Sequence, residues 1–514
     1  MKKSNLILGL SLTGSVTGVF AQNAENRPNI LLITVDDMNY NSLGVFGSPV
    51  RDISPNIDRL AREGMLFRHA FVQAGASQPS RNVLVTGFYG FNSGVEGFNF
   101  IPEDSPVVSV FELVQQAGYY TGVMAKLGHC FPKRSGVEKL DMAVPAEELT
   151  QGRDPARYYD CCTEFFDRAR TSGRPFFLMA NSQDPHRPFW GSAEEANHRK
   201  SGKSLYGDNP VPVPSRIITP EDLDGIPGFL PDLPEIREEL CQYYNNVRRA
   251  DDTVGAILRA LHESGMEEQT LVVFLSDNGM SFPFAKTNCY LNSNKTPLIV
   301  RWPGVVKPGR VEERVLVSAV DFLPTILDIL SLEAPYELDG VSYKRLLYGK
   351  GWKGPKYVYT HFSSNSGQYA EPMRCLQDRN FAYVFSPWAD GTREFRSETT
   401  SGLSFKAMQR AAASDETVAE RVRFFQYRTV EEFYDLRTDP DALHNLIDDP
   451  AYARQVASFR RAMEQKMREC GDNALEAFLN RTDSAALHRY VTAQQERANG
   501  YKKGKRQKRT AREQ

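Results

Sequence analysis

The chain has 514 residues, of which 41% are hydrophobic and 25% charged, and its formal net charge is −2. These values are typical of a globular protein that is long enough for a large core and more than one domain. The near-neutral charge argues against a nucleic-acid-binding function, which needs a strongly basic surface.

The N-terminal segment 1–21 has the pattern of a cleaved signal peptide. Lys2 and Lys3 supply a positive start, residues 6–20 are mainly apolar, and a small-residue cleavage site precedes Gln22. The apolar run is short and interrupted for a membrane span, so we expect a periplasmic protein without stable membrane insertion. Seven cysteines leave at least one unpaired, and the absence of a C-x-x-C spacing argues against a zinc site.

The first half of the chain alternates between predicted strands and helices. Residues 30–35 form an aliphatic run typical of a buried parallel strand, and the run ends in Asp36 and Asp37. Ser54, Pro55 and Gly64 are start and stop signals that predict a helix over 55–63. Residues 65–71 then predict a strand that leads into a loop at Ser77. Carboxylates at the end of a central strand either cap the next turn or bind a ligand.

The same alternation continues through the middle of the chain. We predict helices over 107–117, 235–264 and 321–332, and strands over 119–125, 176–180, 270–275 and 297–302. The strands are followed by polar residues, which are Lys126, His129, His186, Asp277, Asn278 and Lys286. Residues 201–234 are rich in Pro, Gly and Asp and predict a long loop of the kind that carries function. This order predicts an α/β fold with a large, mainly parallel sheet between helices.

The pattern changes after about residue 339. Short antiparallel strands are predicted over 357–361, 373–377 and 381–385, followed by a strand at 434–436 and a terminal helix over 451–469. We therefore predict a catalytic domain over 22–338 and a smaller α+β subdomain over 339–496. Residues 497–514 form a basic tail for which we predict no regular structure, since seven Lys or Arg residues fall within 501–514.

One short motif stands at the centre of the predicted site. It reads Ser77-x-Pro79-Ser80-Arg81-x-x-Leu84-x-Thr86-Gly87. Read locally, it is either an ordinary capped helix start or a serine over a helix N-terminus, where backbone N–H groups favour an anion. Arg81 adds a planar cation that can bind a sulfate or phosphate group through two donors.

The polar strand ends supply complementary chemistry. Oxygen donors for a hard divalent cation would come from Asp36, Asp37, Ser77, Asp277 and Asn278. The candidate cations and proton-transfer groups are Arg81, Lys126, His129, His186 and Lys286. A divalent ion ringed by such groups neutralises a tetrahedral oxyanion and activates a nucleophile. The residues thus predict transfer of a sulfuryl or phosphoryl group.

The whole motif resembles the signature of the type I sulfatases, and every fixed position is met. The resemblance extends from about residue 27 to 445, and 175–178, 184–187, 276–290 and 372–374 are most similar to the sulfamidases that act on N-sulfated glucosamine. It implies an alkaline-phosphatase-like fold. It also implies that Ser77 is oxidised to formylglycine by a serine-type, anaerobic maturase, and that the metal is Ca²⁺ rather than Mg²⁺.

The resemblance also implies roles for individual residues. Metal ligands would be Asp36, Asp37, residue 77, Asp277 and Asn278. Arg81 and Lys126 would stabilise the nucleophile, His129 would assist its collapse, and His186 and Lys286 would hold the sulfate, with His186 donating a proton. We expect the C-terminal subdomain to contact the sugar near His361 and Arg374.

Two positions depart from the sulfamidase pattern and keep the substrate open. Gln183 stands where sulfamidases often have His, and Lys286 stands where they have Arg, whereas Lys is usual in O-sulfatases. We therefore predict a sulfatase acting on glycosaminoglycan fragments, with N-sulfated glucosamine first. An exo-acting 6-O or 3-O sulfatase on another glycosaminoglycan or mucin sugar is second. A metal-dependent phosphatase or phosphodiesterase and a non-enzymatic glycan-binding protein are the remaining alternatives.

Overall fold

A computed structural model describes residues 27–200, 206 and 209–510, with the side chains of 198–200 and 502–510 left aside. The predicted signal peptide and part of the predicted 201–234 loop lie outside these residues. Among the helices described, none combines the length and the apolar character that crossing a membrane requires. All seven cysteines are free, and six of them are buried.

The first domain is built on a nine-stranded mixed sheet. Its strands are β1 Asn29–Asp36, β2 Met65–Phe71, β3 Tyr120–Met124, β4 Met142–Val144, β5 Phe176–Pro185, β6 Thr270–Ser276, β7 Lys295–Arg301, β8 Arg310–Glu312 and β9 Val317–Ser318. The spatial order is β4-β3-β5-β1-β6-β7-β2-β8, with β9 also beside β2. Strands β4, β3, β5, β1 and β6 are parallel, and β7 runs antiparallel to both β6 and β2.

Helices cover both faces of this sheet. Those of the first domain are α1 Pro55–Glu63, α2 Ser77–Thr86, α3 Gly90–Ser93, α4 Val110–Gln116, α5 Pro155–Ser172, α6 Ala193–Lys200, α7 Pro234–Glu263, α8 Leu291–Asn294, α9 Phe322–Leu330 and α10 Lys344–Leu347. Because side chains alternate along a strand, Ile33 of β1 faces a core shared with α5 and α7, and Leu32 faces a core shared with α2 and α9. β1 is therefore buried on both faces at the middle of the sheet.

The second domain carries a four-stranded antiparallel sheet. Its strands are β10 Val358–Ser364, β11 Ala370–Gln377, β12 Phe381–Phe385 and β13 Glu431–Asp435, and its helices are α11 Leu403–Ala411, α12 Glu416–Tyr427, α13 Ala453–Glu469, α14 Leu475–Leu479 and α15 Ser484–Thr510. One face of the sheet packs on α13 and α14. The other face joins the core of the first domain through residues such as Val384 and Tyr434.

The predicted fold class is confirmed. Several observed elements, among them α5, α11 and α12, were not predicted, and three further differences concern elements that were. β5 extends to Pro185 rather than ending at residue 180, because Asn181 and Ser182 continue the strand as buried polar residues. The helix predicted to be terminal is followed by α14 and α15. α15 continues to Thr510, into the segment for which we predicted no regular structure; Lys, Arg, Gln and Ala are good helix formers even without an apolar face.

Candidate active site

The carboxyl ends of the central parallel strands meet at one edge of the sheet, and the site lies there. Asp36 is the last residue of β1, and Asp37 follows in the left-handed conformation with φ 66°. Asp277 and Asn278 follow β6, and His186 follows β5. The topology thus brings together side chains that are up to 242 positions apart in the chain, as expected for a ligand site in an open α/β sheet.

Ser77 begins α2, and its hydroxyl points at the first of these carboxylates. Its Oγ atom donates a hydrogen bond of 2.8 Å to Asp36 Oδ1. Every residue of α2 is buried, and Ala76 precedes the helix without a side-chain cap. The N-terminus of α2 is therefore directed into the site, where its partial positive charge favours an anion.

Two cations flank the serine. Arg81 lies one helical turn after Ser77, and its NH2 atom is 3.0 Å from Asp277 Oδ2. Its NH1 atom donates to Thr34 Oγ1 and, at 2.7 Å, to Asn181 Oδ1. Lys126 has a left-handed backbone conformation after β3 and forms an ion pair with Asp36 Oδ2. Both cations are thus fixed beside the serine by buried partners.

On the side of the site away from Ser77, Asp37 contacts several of the predicted site residues. Its Oδ2 atom is 2.7 Å from Lys286 Nζ, and its Oδ1 atom accepts a hydrogen bond of 2.8 Å from the Asn278 amide. Its backbone N–H donates to Asp277 Oδ1 at 3.1 Å. Lys286 also contacts the carboxylate of Glu398, which comes from the second domain. The predicted metal ligands and sulfate-binding groups therefore form one connected network.

His186 faces Asp37 in a defined orientation. Its Nδ1 atom lies 2.5 Å from the carbonyl oxygen of Arg187, so Nδ1 carries the hydrogen and Nε2 is directed into the site, 3.8 Å from Asp37 Oδ2. The backbone oxygen of His186 accepts hydrogen bonds from Arg153 at 2.9 Å and from Asn246 at 3.1 Å. These contacts fix the loop that carries the imidazole.

His129 stands in a 3-10 helix, Leu127–His129, on the other side of Lys126. The amide of Asn82 donates to its backbone oxygen at 3.0 Å, and its ring meets the edge of Phe98 with centroids 5.8 Å apart. Its Nδ1 atom is buried and has no hydrogen-bond partner among the described residues. Such an unsatisfied ring nitrogen is available to exchange a proton with a ligand.

Burial and charge shift the pKa values of these groups in both directions. Burial raises the pKa of Asp37 and of Asp277 to about 7, and the charge of Asp36 adds to both shifts. The pKa of Asp36 is well below its usual value, because Lys126 and the other neighbouring cations outweigh the effect of burial. Burial and the nearby lysines lower the pKa of His129 to about 3 and that of His186 to about 4, so both imidazoles are neutral.

The oxygen donors fit a divalent cation. Three buried carboxylates and an amide converge here. Asn278 Oδ1 accepts no hydrogen bond from the described residues, and Asp36 Oδ2 and Asp277 Oδ2 have only their ion pairs with Lys126 and Arg81. Ligand atoms of Asp36, Asp37 and His186 lie within 4.8 Å of one another. Like charges buried this closely repel each other, and a hard cation would remove that repulsion.

Two of the residues expected to contact the sugar lie elsewhere. Arg374 on β11 is 1% exposed and forms an ion pair with Asp472, with N–O distances of 2.6 and 2.9 Å. His361 on β10 is also 1% exposed, and its Nε2 atom accepts a hydrogen bond of 3.1 Å from the backbone of Gly90. Neither side chain faces the Asp37 network, so we leave both out of the substrate site. From the predicted 201–234 loop, Ser215 and Ile218 hydrogen-bond to α7.

The structure adds residues that sequence reasoning missed. Thr34 and Asn181 hold Arg81, and Asn246 and Arg153 hold His186. A polar residue inside an otherwise apolar strand, such as Asn181, was a usable signal, because a buried amide needs partners. Glu398 had none, since it lies in a segment of ordinary loop composition more than a hundred residues from Lys286.

Comparisons with known proteins identify the family. Residues 28–332 match the family model described as Sulfatase, and residues 280–386 match that of N-sulphoglucosamine sulphohydrolase, C-terminal. The chain is 31% identical over 471 residues to N-sulphoglucosamine sulphohydrolase of Homo sapiens, covering 84% of this chain and 89% of that protein. It is 25% identical over 495 residues to an ulvan-active sulfatase of Formosa agariphila, covering 87% and 76%.

The fold comparison agrees. A solved structure described as a complex with its substrate D-glucosamine-2-N,6-O-disulfate superimposes with a TM-score of 0.63, at 18% identity, over 87% of this chain and 99% of that one. The alkaline-phosphatase-like fold expected from the resemblance is therefore confirmed. The chain belongs to the sulfatase family, whose members hydrolyse sulfate esters or sulfamates.

Proposed function

We propose that this sulfatase removes the N-sulfate group of glucosamine residues in heparin or heparan sulfate fragments. The observation that carries the proposal is the 31% identity, over 84% of the chain, to a human N-sulphoglucosamine sulphohydrolase. The match of residues 280–386 to the C-terminal model of the same enzyme supports it. Export to the periplasm remains part of the proposal.

The site can supply the catalytic groups once residue 77 is matured and a metal ion is bound. Formylglycine at position 77 would provide a hydrated aldehyde as nucleophile, and Ca²⁺ held by Asp36, Asp37, Asp277 and Asn278 would provide positive charge for the sulfate oxygens. Asp36 orients the residue-77 side chain, since Ser77 Oγ already lies 2.8 Å from it. Ser77 is only 3% exposed, so the proposed maturase acts before the chain has folded.

The remaining residues have separable tasks. Arg81 and Lys126 bring two fixed positive charges next to residue 77, and these stabilise negative charge there. Neutral His129 accepts a proton at its unsatisfied Nδ1 atom. Lys286 and His186 lie around Asp37, where they would hold the sulfate. His186 would donate a proton to the leaving nitrogen from its doubly protonated form, since the neutral ring carries its one hydrogen on Nδ1 and Nε2 must first take up a proton.

An O-sulfatase is the second candidate, and Lys286 favours it. Lys is the residue usual in O-sulfatases at this position, and a compact ammonium group recognises sulfate as a point charge rather than through a planar fork. The chain is also 25% identical to an ulvan-active sulfatase. Both candidates use the same nucleophile and metal, so only the substrate separates them.

A desulfation panel tests the proposal. The matured enzyme in Ca²⁺ is offered N-sulfated, 6-O-sulfated and 3-O-sulfated glucosamine together with 6-O-sulfated galactose and N-acetylgalactosamine. The proposal predicts release of sulfate from N-sulfated glucosamine with the highest kcat/KM. Release from an O-sulfated sugar alone would replace it with the second candidate. The mass of the peptide containing residue 77, lighter by two hydrogen atoms, shows that the enzyme is mature.

A further inference from the structure

A carboxylate from the second domain stands at the entrance to the site. Glu398 begins the 3-10 helix Glu398–Ser401, which lies between β12 and α11. Its Oε1 atom accepts a hydrogen bond of 3.1 Å from Ser281 Oγ and contacts Lys286 Nζ. Lys286 therefore lies between Asp37 and Glu398 and separates two anionic groups that would otherwise repel each other.

The segment around Glu398 is held in place on both sides. Ser397 Oγ lies 2.8 Å from Thr287 Oγ1, which ties it to the loop that carries Lys286. On the other side, the carboxylate of Glu239 accepts the backbone N–H groups of Leu403 and Ser404, at 2.9 and 2.8 Å. Glu239 also pairs with Arg187, next to His186, at 2.6 Å. The position of Glu398 is thus coupled to both groups proposed to bind sulfate.

Exposure shows which side chains an incoming ligand meets first. The side chains of Asp37 and Lys286 are 0% and 4% exposed, whereas those of His186 and Glu398 are 26% and 33% exposed. His186 and Glu398 are thus the two members of this group that a sulfate approaching Lys286 and Asp37 can contact from solvent. The atom that joins the sulfur to the sugar would then lie beside these two side chains.

We infer that Glu398 is a specificity-determining residue that selects a sulfamate over a sulfate ester. The inference rests on the function proposed above and names the residue that would enforce it. A sulfamate carries an N–H donor next to the sulfur. Among side chains that are present at neutral pH, an ionised carboxylate is the strongest hydrogen-bond acceptor for such a donor. A sulfate ester presents only an oxygen lone pair at the same place, which an adjacent carboxylate repels.

The test compares Glu398→Gln with the wild type on two substrates, N-sulfated glucosamine and 6-O-sulfated N-acetylglucosamine. Glutamine keeps the size of the side chain but removes the charge. We expect kcat/KM on the N-sulfated sugar to fall by about 10- to 100-fold, the effect of losing a charged hydrogen bond. The ratio of N- to O-desulfation should fall by at least the same factor. An unchanged ratio would overturn the inference.

Glu194→Gln is the matched control. Glu194 is 49% exposed and lies 3.7 Å from Arg187, so it is a nearby carboxylate that contacts the loop carrying His186. This variant should keep the wild-type ratio, and a loss equal to that of Glu398→Gln would show a general charge effect and contradict the inference. Glu398→Asp, which keeps the charge on a shorter side chain, should fall between wild type and Glu398→Gln.

A binding measurement separates recognition from catalysis and from maturation. In the Ser77→Ala background, calorimetric titration with N-sulfated glucosamine should give a Kd that rises at least about 10-fold when Glu398→Gln is added. The Kd for the 6-O-sulfated sugar should stay the same or fall. If both values change equally, Glu398 has no selective role. If the matured wild type releases no sulfate from N-sulfated glucosamine, the proposed function itself has failed.

Discussion

The hydroxyl of Ser77 and the Oδ1 atom of Asp36 are 2.8 Å apart, although the two residues are 41 positions apart in the chain. The other oxygen of the same carboxylate contacts Lys126. One buried carboxylate therefore contacts both the hydroxyl of residue 77 and the ammonium group of Lys126, and in the proposed function it would also be a metal ligand. For Asp36 to make these contacts, the end of β1 and the start of α2 must lie in direct contact.

Replacing the hydroxyl tests the role of residue 77. Ser77→Ala should lower sulfate release by at least about 10³-fold, because no nucleophile can form at that position. The free energy of unfolding should change little, since only one hydroxyl is lost. Ser172→Ala, which removes a hydroxyl bonded at 2.7 Å to Ala169 at the end of α5, should retain full activity. Full turnover by the first variant would exclude the mechanism.

Calcium should stabilise the protein through the oxygen cluster. At a concentration about 100 times its Kd, a ligand that binds only the folded state adds about 2.7 kcal/mol to the free energy of unfolding. Chelation should therefore lower the melting temperature, and Ca²⁺ should restore it more effectively than Mg²⁺.

Asn278→Ala tests the expected calcium site at one of its proposed ligands. It removes one oxygen donor together with the hydrogen bond that the Asn278 amide donates to Asp37 Oδ1, but Asp37 stays paired with Lys286. The Ca²⁺ concentration for half-maximal stabilisation should rise by about 10- to 100-fold, the usual cost of disturbing a metal site. Asp232→Asn, which changes an exposed side chain paired with Arg237, should leave that concentration unchanged, and an equal response of both variants would contradict the assignment.

The backbone contacts of His186 should matter for turnover more than for binding. Asn246→Ala removes the 3.1 Å hydrogen bond to the His186 carbonyl and should lower kcat by about 10- to 100-fold, since small displacements of a catalytic group are costly. KM should change by less than about threefold. Gln242→Ala, one turn earlier on α7 and bonded to Glu238, is the control and should behave as wild type. An equal loss in the two variants would point to α7 packing instead.

The Arg374–Asp472 pair predicts a dependence of stability on pH. Burial alone would raise the pKa of Asp472, but Arg374 and its hydrogen bonds outweigh burial and lower it. The unfolded chain therefore binds the proton more readily, and the stabilisation is complete above the ordinary pKa of 3.8 and is lost as the pH falls through the lower folded value.

Asp472→Asn measures this contribution. At neutral pH it should lower the free energy of unfolding by about 3–5 kcal/mol, because it leaves the Arg374 charge buried and unpaired. The difference from wild type, followed by urea unfolding, should shrink below pH 3.8. Asp232→Asn removes an exposed pair with Arg237 and should have no measurable effect. A constant difference across the whole pH range would contradict the assigned pKa.

Much of the fold could be predicted because the strands have recognisable patterns in the local sequence. The aliphatic run of β1 predicted a strand that ends at Asp36, as observed, and β2 has the bounds that its pattern indicated. β5 was predicted too short, because the buried Asn181 near its end satisfies its hydrogen bonds through tertiary contacts with Arg81 and Met124 that no local pattern contains. The tail helix was missed because the sequence 502–510 contains no apolar residue, and its charge alone suggested disorder.

The residues of the site were easier to predict than their partners. Ser77 and Arg81 stand in a short motif, and the strand-end residues follow from the topology. Arg374 and Glu398 show the limit: Arg374 was assigned to the sugar site by resemblance but is paired with Asp472, whereas Glu398 reaches Lys286 through the packing of two domains. Contacts of that kind depend on the relative placement of distant segments, which residue spacing does not determine.

The most direct test of this account is a competition experiment with the matured, Ca²⁺-loaded enzyme. N-sulfated glucosamine and 6-O-sulfated N-acetylglucosamine are supplied at equal concentration, and the two desulfated products are quantified by mass spectrometry. The account predicts that free glucosamine forms first and in excess. Exclusive formation of N-acetylglucosamine by an enzyme whose residue-77 peptide is fully oxidised would contradict it.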